Sequence, residues 1–316
     1  MNFDYIDIAK RLGKDNVCLD HLQWFGNSYG WEKFNVINKK KIEVWIRNDE
    51  IKVKANIFYF MNGHNFHNSN IDLIDGLQYV SELLNVNLFN AEAKAFEFGT
   101  VINIQHNPQE FLSNHISINK IPLQPYYKKG TEKLTGKKYF DKSNAFEFEI
   151  YDVGHRIKST ISKAIRDDLS NSYGYDKAKH YIRIESHYKQ PEACFKKRNI
   201  YVDDILQDGF RNICKEDIIT KYKSIMKTGI IQLPKGKDDL STADILLRIL
   251  MEQAILHGFN PEELWNQMIK ALPTELLTKN DKYDRKKQFQ KYLKKLKLNE
   301  KSQYDISEML AAKEIT

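Results

Sequence analysis

The sequence predicts an α+β fold, with a mixed, mostly antiparallel sheet and packed helices over the N-terminal two-thirds and an all-helical C-terminal region. Before about residue 210, segments in which apolar and polar residues alternate are interleaved with segments in which apolar residues recur every three or four positions. After that point only the helical period remains. We therefore expect two domains, at 1–210 and 211–316, which suits a chain of 316 residues.

Alternation and turn residues place the strands. Residues 31–60 read as strands with a hairpin turn at Asn48-Asp49. The segment 125–138, rich in Lys, Gly and Tyr, reads as a loop. Further strands are predicted at 93–104, 146–151 and 180–189.

Capping residues and helical periodicity place the helices. Asn70 is positioned to cap a helix over 71–86, and Asn107-Pro108 opens a short helix with proline at its first position. The remaining helices are predicted at 156–169, 216–227, 242–257, 261–271 and 274–298.

Composition narrows the class of protein. Hydrophobic residues make up 41% of the chain, which is enough for a core, and no run of about eighteen apolar residues predicts a membrane span. Three cysteines without C-x-x-C spacing argue against a disulfide framework or a zinc ribbon. The N-terminus has neither the basic nor the apolar region of a secretory signal. We therefore expect a soluble protein of a reducing compartment.

The basic excess is concentrated in one predicted helix. Nine basic and two acidic residues lie between Lys279 and Lys297, which accounts for the formal net charge of +7. Apolar residues at 289, 292, 293 and 296 make this helix amphipathic. A surface that follows nucleic-acid phosphates and an ordinary solvated face explain the charge about equally well, and a membrane-surface helix explains it less well.

Several catalytic motifs are excluded. The segment Gly130 to Lys138 resembles a phosphate-binding loop, but it has one residue too many between its glycines and a lysine in place of Ser/Thr. The sequence contains neither a G-x-S-x-G nucleophile elbow nor an H-E-x-x-H zinc helix.

Ionisable residues in apolar strands are the candidates for a site. His64 follows a strand, Glu97 lies within one, and Arg183 and Glu185 share a face of another. A carboxylate in such a strand is costly to bury unless it is paired or bound to a metal. For Arg183 and Glu185 an ion pair is a sufficient explanation. The recurrence of such residues on successive strands favours a shared site.

Tyr151 ends the alternating strand that starts at Phe146. The apolar positions of this strand are even-numbered, so Tyr151 is predicted to point away from the apolar face, with Glu147 and Glu149. There it would be accessible to a ligand. By position alone, an ordinary surface tyrosine is the favoured interpretation.

Taken in order, four segments resemble the phage and plasmid replication proteins of the gene II/X family, which includes the filamentous-phage gene II initiator. The segments are Gly63-His64-Asn65-Phe66, the strand around Glu97, Glu149 to Gly154, and Tyr181 to Glu185 followed by basic residues. The resemblance covers roughly residues 55–210. Each motif is short, and the order and spacing of the motifs carry the resemblance.

The resemblance implies rolling-circle initiation, in which a protein tyrosine attacks a phosphodiester at the origin, keeps the 5′ phosphate and frees a 3′ hydroxyl. Tyr151 matches the nucleophile, and cationic neighbours such as His155, Arg156 or Lys158 would favour its phenolate. Mg²⁺ or Mn²⁺ would neutralise phosphodiester charge. The candidate ligands are His64, Glu97 and Glu185, and His64 could instead orient the phosphate.

The resemblance also implies contact with origin DNA, both duplex and single-stranded, a host helicase and polymerase as partners, and the cytoplasm of a bacterial host as location. It implies no membrane partner. The residues expected to contact DNA are Asn65, Arg156, Arg183, Arg285, Lys286, Lys287, Lys291, Lys294 and Lys295.

The chain departs from the family pattern at two points. Val153 stands where the filamentous-phage protein has a lysine, and the His-hydrophobe-His strand motif of many initiators is absent. Because gene X products of the family can regulate rather than nick, a non-catalytic DNA-binding replication regulator of the same family is the alternative function. A structural or packaging protein that uses only the basic helix ranks last, because it leaves the strand carboxylates unexplained.

Overall fold

The computed structural model describes residues 1–37, 42–66, 70–119, 121–197, 199–227, 261–273, 278–295 and 304–313. The chain forms two compact units. The first contains Met1–Pro108, Phe140–Lys221 and Met309–Thr316, and the second contains Gln109–Tyr139 and Tyr222–Glu308. Each unit is thus assembled from separate stretches of chain. The predicted boundary between residues 210 and 211 stays a prediction.

The secondary structure is a mixture of strands and helices, so the α+β prediction is confirmed. The strands are β1 Asn2–Arg11, β2 Leu22–Ser28, β3 Trp31–Val36, β4 Ile42–Arg47, β5 Glu50–Asn56, β6 Glu92–Ile104, β7 His115–Ile118, β8 Ile121–Pro122, β9 Gln124–Tyr127, β10 Leu134–Phe140, β11 Phe146–Asp152, β12 His180–Tyr188 and β13 Ile225–Lys227.

Helices connect and cover these strands, and none of the described helices is long and apolar enough to span a membrane. The helices are α1 Ile57–Asn62, α2 Asn70–Leu84, α3 Pro108–Ser113, α4 Val153–Thr160, α5 Lys163–Ser172, α6 Pro191–Phe195, α7 Val202–Leu206, α8 Asp208–Lys223, α9 Pro261–Ala271, α10 Lys279–Lys295 and α11 Ser307–Ala311.

The first unit is built on an antiparallel sheet in the order β2-β3-β4-β5-β1-β6-β12-β11. Cross-strand neighbours share a face. Buried apolar residues line one face, as in the row Ile8, Val53, Val44 and Phe34. The opposite face carries polar residues, as in the row Asp7, Lys54 and Glu43, and is called the outer face below.

Aromatic side chains fill the core beneath the centre of the sheet. Phe3 makes edge contacts with Phe96 and Phe98, with ring centroids 5.3 and 4.9 Å away. The Phe96 ring also lies 5.0 Å from Tyr188 and 6.1 Å from Phe195 of α6. Aromatic contacts of this kind add to the stabilisation from apolar burial, so the positions of β1, β6 and β12 are tightly determined.

Two predicted elements differ from the structure near the site. The predicted strand over 31–60 ends at Asn56, whose side chain accepts a hydrogen bond from the Tyr59 N–H (3.2 Å) and starts α1. Gly63, at φ 73°, ends this helix. The predicted helix 156–169 is two helices, because Asp152 caps α4 and Ser162 caps α5.

Other corrections concern the second unit. The predicted loop 125–138 contains the hairpin β9–β10, where a Cβ on Gly136 would lie 2.1 Å from the Tyr126 ring. The end of the predicted helix 216–227 is β13, which pairs with β7. The predicted helix 242–257 lies outside the described residues, and α10 is the described part of the predicted helix 274–298.

His115 is the buried polar centre of the second unit. Its Nδ1 lies 2.7 Å from the Phe111 carbonyl oxygen and its Nε2 lies 2.8 Å from the Tyr222 hydroxyl. The Lys137 ammonium donates a hydrogen bond to the His115 carbonyl oxygen at 2.6 Å. Burial lowers the pKa of His115 to about 3, so the ring is neutral in the folded protein at neutral pH.

His115 makes the stability of the second unit depend on pH. Below its ordinary pKa of 6.5 the unfolded chain binds a proton that folded His115 does not bind. The free energy of unfolding should therefore fall as the pH drops from 6.5 towards 3, by up to about 1.4 kcal/mol per pH unit. Denaturant unfolding of wild type and of His115→Gln should show a flatter pH dependence for the variant. The exposed His21→Gln variant is the control, and equal slopes for all three proteins would contradict this account.

Candidate active site

A fully buried arginine organises the outer face around β12. Arg183 is 1% exposed and donates hydrogen bonds to the Asn65 carbonyl oxygen at 2.7 Å and to Asp4 Oδ2 at 2.9 Å. Its Nε donates to Glu185 Oε2. The two carboxylates balance a charge that would be very costly to bury alone. Burial raises the pKa of Asp4 to about 6, although Arg183 opposes this shift.

Strand register gathers four glutamates around His187. His187 is paired with Glu97 of β6 and with Glu147 of β11, and Glu185 is paired with Glu149. The His187 ring lies between the carboxylates, with Nδ1 2.9 Å from Glu97 and Nε2 3.0 Å from Glu185 and 3.6 Å from Glu149. The antiparallel pairing thus creates one acidic cluster with a histidine at its centre.

Gly99 makes room for this cluster. It is the direct partner of Glu185 across β6 and β12. A Cβ at position 99 would lie 2.7 Å from Glu185 Cβ and 2.7 Å from the Ile184 carbonyl oxygen. Only glycine therefore leaves the space that the Glu185 side chain occupies.

Charge pairing determines the protonation of the cluster. Burial would raise the pKa of Glu185, but Arg183 and His187 outweigh it and hold the pKa well below its usual range. Burial would lower the pKa of His187, but hydrogen bonds to Glu185 and Glu97 outweigh it and raise the pKa well above its usual value. In this state the cluster holds one positively charged imidazolium, His187, at the point where the carboxylate oxygens converge.

The donor atoms fit a divalent cation. Among the described residues, two groups of three offer ligand atoms within 4.8 Å of one another, namely Glu97, Glu185 and His187, and Glu147, Glu149 and His187. Carboxylate oxygens suit Mg²⁺ and Mn²⁺, and an imidazole nitrogen suits Mn²⁺ better than Mg²⁺. Two of the three predicted ligands, Glu97 and Glu185, are thus brought together, with His187 as the third residue.

His64, the third predicted ligand, belongs to neither group. It is buried, its Nδ1 accepts a hydrogen bond from the Phe66 N–H at 3.3 Å, and its ring meets the edge of Tyr173 at 4.8 Å. As a ligand it stays a prediction. His187 was missed, although the alternation that places Arg183 and Glu185 on one face continues to residue 187.

Tyr151 lies beside the cluster, directly opposite Arg183 in the register of β11 and β12. Its hydroxyl donates to Glu185 Oε2 at 3.4 Å and accepts from Arg156 Nη1 at 3.2 Å. The guanidinium of Arg156, itself an exposed residue, lies 5.4 Å from the ring centroid. The Glu185 carboxylate therefore contacts Tyr151 and is also a candidate metal ligand.

The expected accessibility of Tyr151 is wrong. The residue is 3% exposed. Burial and the Glu185 charge raise the pKa of its phenol well above the usual value, and Arg183 and Arg156 do not compensate. Alternation correctly placed Tyr151 on the face opposite to the apolar residues, but packing on that face cannot be read from one strand.

Of the other residues predicted to act in catalysis or DNA binding near the site, Arg156 contacts Tyr151, and the rest make other contacts. Arg156 reaches Tyr151, whereas the Lys158 ammonium donates to the Lys177 carbonyl oxygen at 3.3 Å. The backbone N–H of His155 is bonded to the capping Asp152. Asn65 and Arg183 are buried and engaged with Asp4, which argues against DNA contact. All of these roles stay predictions.

The basic helix is present as α10 in the second unit. Arg285, Lys286 and Lys287 are exposed, and Phe289 is buried in a stacked contact with Trp265, with centroids 4.6 Å apart. The amphipathic prediction is confirmed at Phe289. The side chains of Lys291, Lys294 and Lys295 lie outside the described residues.

Comparison with known proteins adds one structural similarity. No known protein family matches the chain, and no curated protein is similar to it in sequence. A solved structure of a rolling-circle replication initiator protein from Geobacillus stearothermophilus is similar over 75% of this chain and 88% of that one, with 9% identity and a TM-score of 0.41. A similarity at this level does not establish family membership.

Arg183 should be among the most sensitive positions of the first unit. Replacing it with Met leaves Asp4 and Glu185 buried without their shared cation, so the free energy of unfolding should fall by about 3–5 kcal/mol. Lys197→Met breaks the exposed pair with Asp204 and should cost less than about 1 kcal/mol. Urea unfolding measures both, and similar small losses would show that the Arg183 network does not hold the site together.

Proposed function

We propose that the chain is a rolling-circle replication initiator that nicks and rejoins one strand of origin DNA through Tyr151, with Mg²⁺ or Mn²⁺ as cofactor. The observation that supports this is the sharing of Glu185, whose carboxylate contacts both the Tyr151 hydroxyl and His187 of the candidate metal group. A nucleophile and a cation site that share one carboxylate suit attack on a phosphodiester.

Glu97, Glu185 and His187 would hold the cation, and His187 would have to give up its proton to bind through an imidazole nitrogen. Once bound, it would polarise a phosphoryl oxygen and neutralise the charge that makes a phosphodiester resist attack. Arg183 keeps Glu185 ionised and oriented through its Nε, while Asp4 and the Asn65 carbonyl oxygen hold the guanidinium in place. The buried network is thus the support of the site.

In the proposed reaction the Tyr151 hydroxyl gives up its proton, its oxygen bonds to phosphorus, and the bond from phosphorus to the 3′ oxygen breaks. The leaving 3′ oxygen takes up a proton, and the 5′ phosphate stays on the tyrosine. Rejoining reverses these steps, and the phosphotyrosine ester retains the energy of the broken bond. No nucleotide cofactor is needed.

Arg156 links DNA binding to the exposure of Tyr151. The tyrosine is buried, and the exposed Arg156 covers its hydroxyl. A guanidinium binds phosphate oxygens in a bidentate manner, so a strand phosphate that takes over Arg156 would draw it away from the phenol. The exposed cations of α10, Arg285, Lys286 and Lys287, would contribute further phosphate contacts.

Tyr151→Phe should abolish covalent attachment to DNA. Purified protein is incubated with supercoiled DNA of its own replicon and Mg²⁺ or Mn²⁺, then denatured with detergent and examined for a nicked circle that carries protein. Wild type should give the adduct and Tyr151→Phe should not, because the phenol oxygen is the atom that bonds to phosphorus. The exposed Tyr29→Phe serves as the matched control and should behave like wild type.

The same assay tests the metal site and the nucleophile separately. Glu97→Gln should lose nicking while retaining DNA binding, since it removes a ligand charge at a half-buried position. Chelation of the metal should have the same effect on wild type. If Tyr151→Phe forms the adduct normally, the assignment of the nucleophile is wrong.

The second candidate is a non-catalytic, DNA-binding replication regulator. The burial and raised pKa of Tyr151 favour it, because a phenol held in this way is a poor nucleophile. This function predicts binding to replicon DNA that weakens steeply with salt and does not require metal. Tight binding without any nick, in either Mg²⁺ or Mn²⁺, would decide in its favour.

A further inference from the structure

The outer face of strands β3, β4 and β5 carries two indole rings, each contacted by two cations. Lys33 and Lys54 place their ammonium nitrogens 4.2 and 4.0 Å from the centroid of Trp45. Arg47 and Lys52 lie over Trp31, each 4.4 Å from its centroid. We call these six residues the Trp–Lys patch.

Strand register explains how the patch forms. Trp45 is paired directly with Lys33 on one side and with Lys52 on the other. Cross-strand partners lie on the same face of a sheet, close enough for their side chains to touch. Alternation along β5 then adds Lys54 to that face, two residues beyond Lys52. The patch is therefore determined by the sheet itself.

The patch and the candidate metal ligands lie on the same face of one sheet. The row Glu43, Lys54, Asp7 and Ala95 crosses β4, β5, β1 and β6 in register. Glu97 lies two residues beyond Ala95 and so points to the same side. Three strand spacings separate β4 from β6, or about 14 Å at roughly 4.8 Å each.

Among the described residues, two of the four cations of the patch lie within ion-pair distance of a carboxylate. Arg47 pairs with Glu50 at 2.9 Å and Lys54 lies 3.8 Å from Asp7. In the part of the chain that the structure describes, Lys33 and Lys52 make cation–π contacts but no ion pair. Half-buried Trp45 donates its indole N–H to Glu43 Oε2 at 3.3 Å, and its ring face lies beside cations that can meet phosphates.

We infer that the Trp–Lys patch binds single-stranded DNA and leads the strand towards the candidate metal ligands on the same sheet face. Single-strand binding surfaces combine aromatic rings, on which bases stack, with cations that follow the phosphates. The inference rests on the proposed function for the choice of DNA as substrate, whereas the binding itself is measurable without any nicking.

A bound DNA strand would replace the cation–π contacts of the Trp–Lys patch with base stacking and phosphate contacts. A base stacking on Trp45 takes the place of the Lys33 or Lys54 ammonium, and the displaced cation meets the adjacent phosphate. Stacking requires an unpaired base with a free π-face, so a duplex satisfies the cations but not the indole. A single strand is therefore the ligand that uses both parts of the patch.

Binding of a labelled oligothymidylate, followed by fluorescence anisotropy in EDTA, tests the inference without metal or cleavage. Trp45→Ala should weaken binding about 5- to 150-fold, the range for removal of one stacking platform. Wild type should also prefer the single strand to a duplex of the same length.

Trp24→Ala is the matched control. Trp24 is 59% exposed, more than any residue of the same type among the described residues, but it is paired with the core residue Phe34 and so lies on the opposite face. This variant should bind like wild type. Equal weakening by Trp24→Ala and Trp45→Ala, or no weakening by either, would overturn the inference.

The double variant Lys33→Met and Lys54→Met keeps the indole and removes two cations, so it decides the question if Trp45→Ala fails to fold. The slope of log K against log salt should become shallower by about 1.4, because each phosphate contact on a single strand contributes about 0.7. An unchanged slope would overturn the inference. Because EDTA removes the cofactor, loss of nicking in the Tyr151→Phe assay and loss of strand binding here are separate outcomes.

Discussion

The buried ion-pair network of Arg183 is the constraint on which the rest of the candidate site depends. A guanidinium inside a protein needs carboxylates with good geometry, and Arg183 has two, from the first strand of the unit and from its own strand. The same contacts hold Glu185 ionised and direct its second oxygen towards His187. One electrostatic requirement thus positions β1, the loop after α1 and the candidate metal ligands together.

Strand register places Tyr151, the candidate metal ligands and the Trp–Lys patch on one face of the sheet. Register places the candidate metal ligands in the middle of the outer face, Tyr151 at one side of them and the Trp–Lys patch at the other. Under the proposed function, the carboxylates would hold the cation that meets the scissile phosphate, and Trp45 would stack with an unpaired base. Tyr151 is buried and Arg156 covers its hydroxyl, so under the proposed function DNA would have to draw Arg156 away to reach the phenol.

Features that depend on neighbouring residues could be predicted from the sequence, and features that depend on distant contacts could not. Alternation correctly indicated β11 and β12, and the apolar spacing around Phe289 correctly indicated the basic helix, because both signals are local. Asp4 gave no signal, since its partner Arg183 is 179 residues away. Glu97 and Glu185 could be selected as candidates because a carboxylate in an apolar strand is conspicuous. Tyr151 was expected to be exposed because one strand does not reveal what packs on its polar face.

Glu97, Glu185 and His187 are proposed to form one cation site beside Tyr151. A crystal structure of the protein with Mn²⁺, interpreted through its anomalous difference map, tests this claim most directly. We expect a peak in contact with the carboxylate oxygens of Glu97 and Glu185 and with an imidazole nitrogen of His187, and loss of that peak in Glu185→Gln. Bound Mn²⁺ elsewhere, with the His187 ring still hydrogen-bonded to both glutamates, would contradict it.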